Sequence, residues 1–218
     1  GSHPRCHQRQ EGQIYVAGID LAGEAEEGED AALRAIRPGR DSTVVTIGEL
    51  DFSFSNEAIR EPRINIVEHY WWTGKPHTSL YPQLVDILKS VWGCRRVVVD
   101  ATGVGEGVAS FLSKALGRSV VAPFHFSQQS KSRLGFELLA AINAGRLKTY
   151  LADGSQEYRE FWNEMERAKS TFRANQTMNF FVEASQGHDD FLSSLALLVE
   201  AAHYAPRSAK GRARNGGV

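Results

Sequence analysis

Four aspartates stand where an ionised carboxylate is expensive to keep. Asp20 closes the apolar run Ile14-Tyr15-Val16-Ala17-Gly18-Ile19, Asp100 closes Val97-Val98-Val99, and Asp189-Asp190 open a segment with helical periodicity. A carboxylate buried in such a place loses solvation worth several kcal/mol unless hydrogen bonds, a cation or a shifted pKa compensate. A divalent cation meets that need, because Mg²⁺ or Mn²⁺ takes oxygen ligands and keeps several waters. Two such ions about 3.5 to 4 Å apart would let one activate water while the other stabilises the leaving oxygen of a phosphodiester. That division of labour requires no histidine or lysine base.

Each aspartate also has an ordinary reading. Asp20 and Asp100 could end their strands by accepting turn amides. The Asp189-Asp190 pair could cap a helix and complement its dipole. The three sites together, in this order, carry more information than any one of them.

The elements that must position these residues follow from periodicity. Residues 14–21 read as a buried strand, and 42–50 (Val44, Val45, Ile47) and 63–72 (Ile64, Ile66) as two more, which predicts an antiparallel meander. Between the first two lies a polar insertion, residues 24–40, acidic over 24–30 and then carrying Arg34, Arg37 and Arg40, expected to be a mobile loop. Leu80, Leu84, Val85, Leu88 and Trp92 fall at helical spacing before Gly93. Val97–Asp100, a helix over 104–116 and a strand over 120–126 then give βαβαβ order, so parallel strands should join the meander. Further helices are expected around Leu134–Ile142, over 156–168 and from about His188, the last burying Phe191, Leu195, Leu198, Val199 and Ala202. Residues 170–183 read as a hairpin turning at 174–177. The predicted fold is therefore α/β, a mixed sheet of antiparallel meander plus parallel strands flanked by helices, with an extra β-hairpin. If its first and fourth strands are neighbours, Asp20 and Asp100 end side by side, since adjacent strands lie about 4.8 Å apart.

Composition bounds the rest. The 218 residues, 42% hydrophobic and 23% charged, suit one globular domain. A net charge of −1 gives no global mark of a nucleic-acid binder, so any such surface must be local. Cys6 and Cys94 support neither a disulfide framework nor a zinc ribbon, and a reducing compartment is expected. No apolar run reaches the roughly 20 residues that span a membrane. Gly1-Ser2-His3 reads as a scar of tag removal, residues 1–12 as flexible, 13–205 as the domain, and 206–218 as a disordered basic tail.

Secondary candidates surround the aspartates. Asp41 could join them if the second strand pairs near the end of the first, although a cap at a strand start is the simpler role. His188 could ligate a metal or orient a phosphate, and Lys131 stands with it as a possible accessory residue. Lys131, Arg133, Arg146, Lys148, Lys169 and Arg173 could line a DNA track beneath the hairpin; about half are expected to be plain surface. Of Trp71 and Trp72, strand alternation turns one to the core, so edge packing is favoured over base stacking. Gly103-Val104-Gly105-Glu106-Gly107 fails as a dinucleotide loop, because the third glycine would fall at Val108.

Ile19-Asp20-Leu21-Ala22-Gly23 with Asp41-Ser42-Thr43-Val44-Val45, then Val97-Val98-Val99-Asp100-Ala101-Thr102-Gly103-Val104-Gly105, then Gly187-His188-Asp189-Asp190 with Leu195-Ala196-Leu197, together resemble the nuclease domain of large terminase subunits of tailed double-stranded DNA phages. The segment Lys131-Ser132 to Ala144-Gly145-Arg146-Leu147 is similar as well, and the likeness runs from about residue 13 to 204. The resemblance implies a ribonuclease H-like fold and Mg²⁺- or Mn²⁺-dependent endonuclease cutting of concatemeric viral DNA in the host cytoplasm. It implies work beside an ATPase domain of the same full-length protein, a portal ring and a small terminase subunit. Metal ligation would fall on Asp20, Asp100 and one or both of Asp189 and Asp190. No segment reads G-x-x-x-x-G-K-[ST], so the translocating ATPase is expected to lie outside this chain. Rival readings are a Holliday-junction resolvase or ribonuclease H proper, a fragment of an actin-like or sugar-kinase ATPase, and a packaging docking module with vestigial carboxylates.

Overall fold

The computed structural model describes residues 1–22, 42–54, 61–103 and 105–205. The polar insertion, Asp41 and the basic tail fall outside the described residues. Six strands form one mixed sheet in the order β5-β4-β1-β2-β3-β6. The meander β1 (Tyr15–Asp20), β2 (Ser42–Asp51) and β3 (Arg63–Thr73) pairs antiparallel, with a register shift at Ile47/Gly48. β4 (Arg96–Asp100) runs parallel to β1, and β5 (Val121–Phe124) parallel to β4. The predicted fold class therefore stands. A two-residue edge strand, β6 (Leu147–Lys148), parallel to β3, escapes periodicity because it is too short to show any.

Helix α1 (His77–Val85) continues as a wider turn through Asp86–Val91, and α2 (Gly105–Leu116) packs beside it on one face of the sheet. The other face carries α3 (Gln128–Asn143), α4 (Gln156–Arg167) and α5 (Asp190–His203). α5 is buried from Asp190 through Ala202, because the sheet takes one side of it while α3 and α4 cover the other. A two-sided burial of this kind goes beyond the single apolar stripe expected of it.

The hairpin is β7 (Lys169–Phe172) against β8 (Met178–Phe181). It is fixed to α3 where the Met178 amide donates to Ser132 Oγ at 2.9 Å and Gln128 Nε2 donates to Thr177 Oγ1 at 2.8 Å.

The residues ahead of β1, expected to be loose, are docked on the sheet. Ser2 N donates to Thr149 O, Cys6 N to Val67 O and Arg9 N to Val91 O. Arg5 pairs with Glu68 and Asp153, so the buried Glu68 carboxylate gains the partner it needs. Both cysteines are free. Among the described residues no helix is long and apolar enough to cross a membrane.

Candidate active site

Strand alternation decides where Asp20 and Asp100 point. Val16 belongs to the core under α5, while Tyr15, Ala17 and Ile19 belong to the opposite one. Asp20, two residues past Gly18, therefore continues the α5 face. The same parity holds on β4, where Val98 faces α5 and Val97 and Val99 face away, so Asp100 also turns toward α5. Because Ile19 pairs with Val99 in a parallel register, the two aspartates end adjacent strands side by side.

α5 brings the third acidic position to the same place. Gly18 permits its approach, since a Cβ there would stand 2.2 Å from Ser194 O and 2.3 Å from Leu198 N. Ser194 Oγ donates to Gly18 O at 3.1 Å and contacts Thr46 Oγ1 at 2.6 Å, tying the helix to β1 and β2. The Asp190 carboxylate accepts the Ser42 amide at 2.9 Å, which pins the start of α5 to the start of β2. β2 begins beside the end of β1, with Asp20 opposite Val44. Gly105 plays a similar part below Asp100, where a Cβ would meet the Asp100 carbonyl oxygen at 2.2 Å and push α2 away.

The result is an acidic cluster. Asp20 is driven well above the usual carboxylate range by burial first, then by the charges of Asp190, Asp100, Asp189 and Glu164. Asp100 Oδ1 accepts the Thr102 amide at 2.8 Å, as a strand-ending aspartate would. Asp189 is the N-cap residue of α5 but makes no side-chain capping bond. It stands 4.0 Å from Lys131 Nζ instead, so the ordinary capping reading fails for that residue.

Sequence reasoning missed Glu164. It lies on α4, is 3% exposed, and accepts the Leu192 amide at 3.0 Å. Burial pushes its carboxyl up to about 9 and Asp190 adds to the rise, while the Leu192 and Phe191 amides oppose it. A signal existed, for Glu164 stands three residues after the buried Phe161 and so on the inward face of its helix.

Among the basic candidates, Arg133 is held by Glu200 and Glu137, and the buried Arg146 by Glu61 and the Pro62 carbonyl. Lys169 pairs with Glu183 across the base of the hairpin, and Lys148 sits on β6 beyond β3. Lys131 and Arg173 differ, since they line a groove of about 340 Å³ with Ser127, Gln128 and Asn179, next to Asp189. His188 is half-buried in the turn before α5. Trp71 meets Phe191 edge-on and Trp72 stacks on Tyr70 at 5.9 Å, so both are engaged within the fold.

A model of the terminase RNaseH-like domain matches residues 81–202. The chain belongs to that family. This terminase RNaseH-like domain is similar to the large terminase nuclease of thermophilic phage G20c, at 18% identity and TM-score 0.62, covering 89% of this chain and 85% of that one. The same G20c nuclease with bound magnesium matches at TM-score 0.63 and 19% identity, covering 89% and 84%, respectively. The HK97 bacteriophage large terminase matches at TM-score 0.56 and 12% identity, with 92% of this chain set on 41% of the longer one. No curated protein matches.

The donor set of this terminase domain suits a hard divalent cation, being all carboxylate oxygens of one charge around the half-buried Asp20. Among the described residues no three His, Cys, Asp or Glu side chains already close into a metal cage. Mg²⁺ tolerates that, because it is commonly held by one or two carboxylates together with waters and substrate phosphates.

Proposed function

We propose that the chain is a metal-dependent endodeoxyribonuclease that cuts concatemeric double-stranded viral DNA during genome packaging, using two divalent ions held by Asp20, Asp100, Asp189 and Asp190. One observation carries the reading. The ends of β1 and β4 and the start of α5 bring Asp20, Asp100 and Asp190 to one side of the sheet, where burial first and then the neighbouring aspartates disfavour an ionised Asp20 and a cation would offset both. Family membership supports a nuclease, and the magnesium- and zinc-bound relatives support a divalent cofactor. When bound, Mg²⁺ or Mn²⁺ supplies charge stabilisation at the phosphoryl group and a more acidic attacking water.

The chain's own residues do the positioning. Asp20 and Asp100 offer oxygens from two rigid strand ends, and Asp189 and Asp190 offer theirs from a helix fastened to β1 and β2. Lys131 and Arg173 give the phosphate backbone a basic flank along the groove. Family membership supports a wider proposal: an ATPase domain in the same full-length protein, portal and small terminase subunit as partners, and the host cytoplasm as the setting. The length of the HK97 large terminase, of which this chain covers 41%, accords with a separate motor portion.

The test is plasmid cleavage by purified protein with Mg²⁺, Mn²⁺ or chelator. Cutting should need the ion and fall at least about a hundredfold in Asp20→Asn and Asp100→Asn, the scale of losing several kcal/mol of transition-state stabilisation. Cleavage by both variants at the wild-type rate would remove the proposal.

A further inference from the structure

The N-terminus of α5 presents a mismatch between its capping residue and its capping bond. Asp189 occupies the N-cap position, where an aspartate ordinarily accepts the amide two or three residues on. Those amides belong to Phe191 and Leu192. Asp189 accepts neither, while Glu164, arriving from α4, accepts the Leu192 amide at 3.0 Å and lies against that of Phe191. The Leu192 donor is thus satisfied by a residue 28 positions earlier in the chain.

We propose that Glu164 is a positioning residue that caps α5 in place of Asp189, leaving the Asp189 and Asp190 carboxylates to the acidic cluster. The inference rests on the proposed function for what that cluster does, but the substitution of one cap for another stands on the hydrogen bonds alone. Two features support it. Glu164 is buried and bonded to the Leu192 amide, so its carboxyl does not act as a mobile surface group. Asp190 is engaged by the Ser42 amide on its other side, which fixes the helix start from both flanks. Without the Glu164 acceptor, Asp189 is the nearest side chain able to cap, and capping would rotate its carboxylate back over its own helix. A support of this kind for metal ligands is commonly worth ten- to a hundredfold in metal affinity.

A double-mutant cycle on the intact chain tests the capping claim without metal. Asp189→Ala in the wild type should shift the melting temperature only through the loss of its charge beside Lys131 and Asp20, because its side chain caps nothing there. In the Glu164→Ala background the same change should lower it by about 2 to 4 °C, the scale of one lost cap in a domain of this size. Glu164→Gln keeps an acceptor oxygen and should behave as wild type in the cycle; if Glu164→Ala does not fold, Glu164→Gln and Glu164→Leu serve as the pair. The second readout is the Mn²⁺ concentration giving half-maximal cleavage, which should rise about tenfold or more in Glu164→Ala and stay put in Glu164→Gln. Equal effects of Asp189→Ala in both backgrounds would overturn the inference. If the wild type neither cleaves nor binds Mn²⁺, the proposed function fails, and the melting cycle still decides the cap.

Discussion

Asp20 and Asp100 end parallel neighbouring strands in the same register, with Ile19 set against Val99, and both side chains fall on the face that α5 covers. That placement concentrates negative charge in a partly desolvated pocket, where like charges cost far more than in water.

The first consequence concerns stability. Asp20→Asn replaces an ionisable carboxyl in the cluster with a neutral amide and should raise the melting temperature of the metal-free protein by a few degrees, since burial and then repulsion make that carboxyl oppose folding. Added Mn²⁺ should stabilise the wild type but not this variant. Differential scanning fluorimetry with and without chelator checks both, and a destabilised metal-free Asp20→Asn would contradict the account.

Gly18 allows α5 to lie directly on β1. A methyl group there would strike Ser194 O and Leu198 N, and backbone atoms cannot step aside as a side chain could. Gly18→Ala should therefore cost about 1 to 3 kcal/mol or more and lower the melting temperature accordingly. A chemical-denaturation midpoint equal to that of the wild type would show that the helix can move without penalty.

His69 predicts a pH dependence. It is buried on β3, touches Thr46 Oγ1 at 3.2 Å, and stacks on Phe161 at 4.9 Å. Burial first and then the Arg5 charge press it down to about 3, with Asp153 opposing. The unfolded chain takes up a proton near pH 6.5 and the folded one only near 3, so the protein binds fewer protons than its unfolded state between those values. The resulting stability is complete above pH 6.5 and is lost as pH falls toward 3, by up to about 1.4 kcal/mol per unit. Melting His69→Gln and wild type across pH 4 to 7 should show a shallower slope for the variant.

The basic residues should separate into two kinds. Lys131→Ala and Arg173→Ala should weaken DNA binding and each reduce the salt dependence of the affinity by about one unit of slope. Arg146→Ala, which removes one of the partners of Glu61 and a donor from the Pro62 carbonyl, should instead lower stability with that slope unchanged. Fluorescence anisotropy against salt, paired with melting curves, distinguishes them; a reduced slope in Arg146→Ala would reverse the assignment.

What the amino-acid order determined on its own was local. Apolar, β-branched runs located β1, β2 and β4 and an alternating run located β3, while glycines at Gly93, Gly117 and Gly145, all with positive φ, closed the helical segments before them. The same runs put Asp20 and Asp100 at strand ends. Alternation then made their direction a consequence of strand parity.

Tertiary structure decided which strand ends meet and which charges are already spoken for. The pairing of β1 with β4 joins residues about eighty positions apart, a choice made by burial on both faces of the sheet rather than by any neighbouring residue. Glu164 carries no local mark of a cap, because the amides it serves are on another helix. Arg133 and Arg146 resemble free cations in sequence, yet folding places Glu200 and Glu61 against them. Spacing along a chain reports which face a residue occupies, whereas the partner across that face is chosen by packing, and the chemistry of the carboxylate cluster depends on the partner.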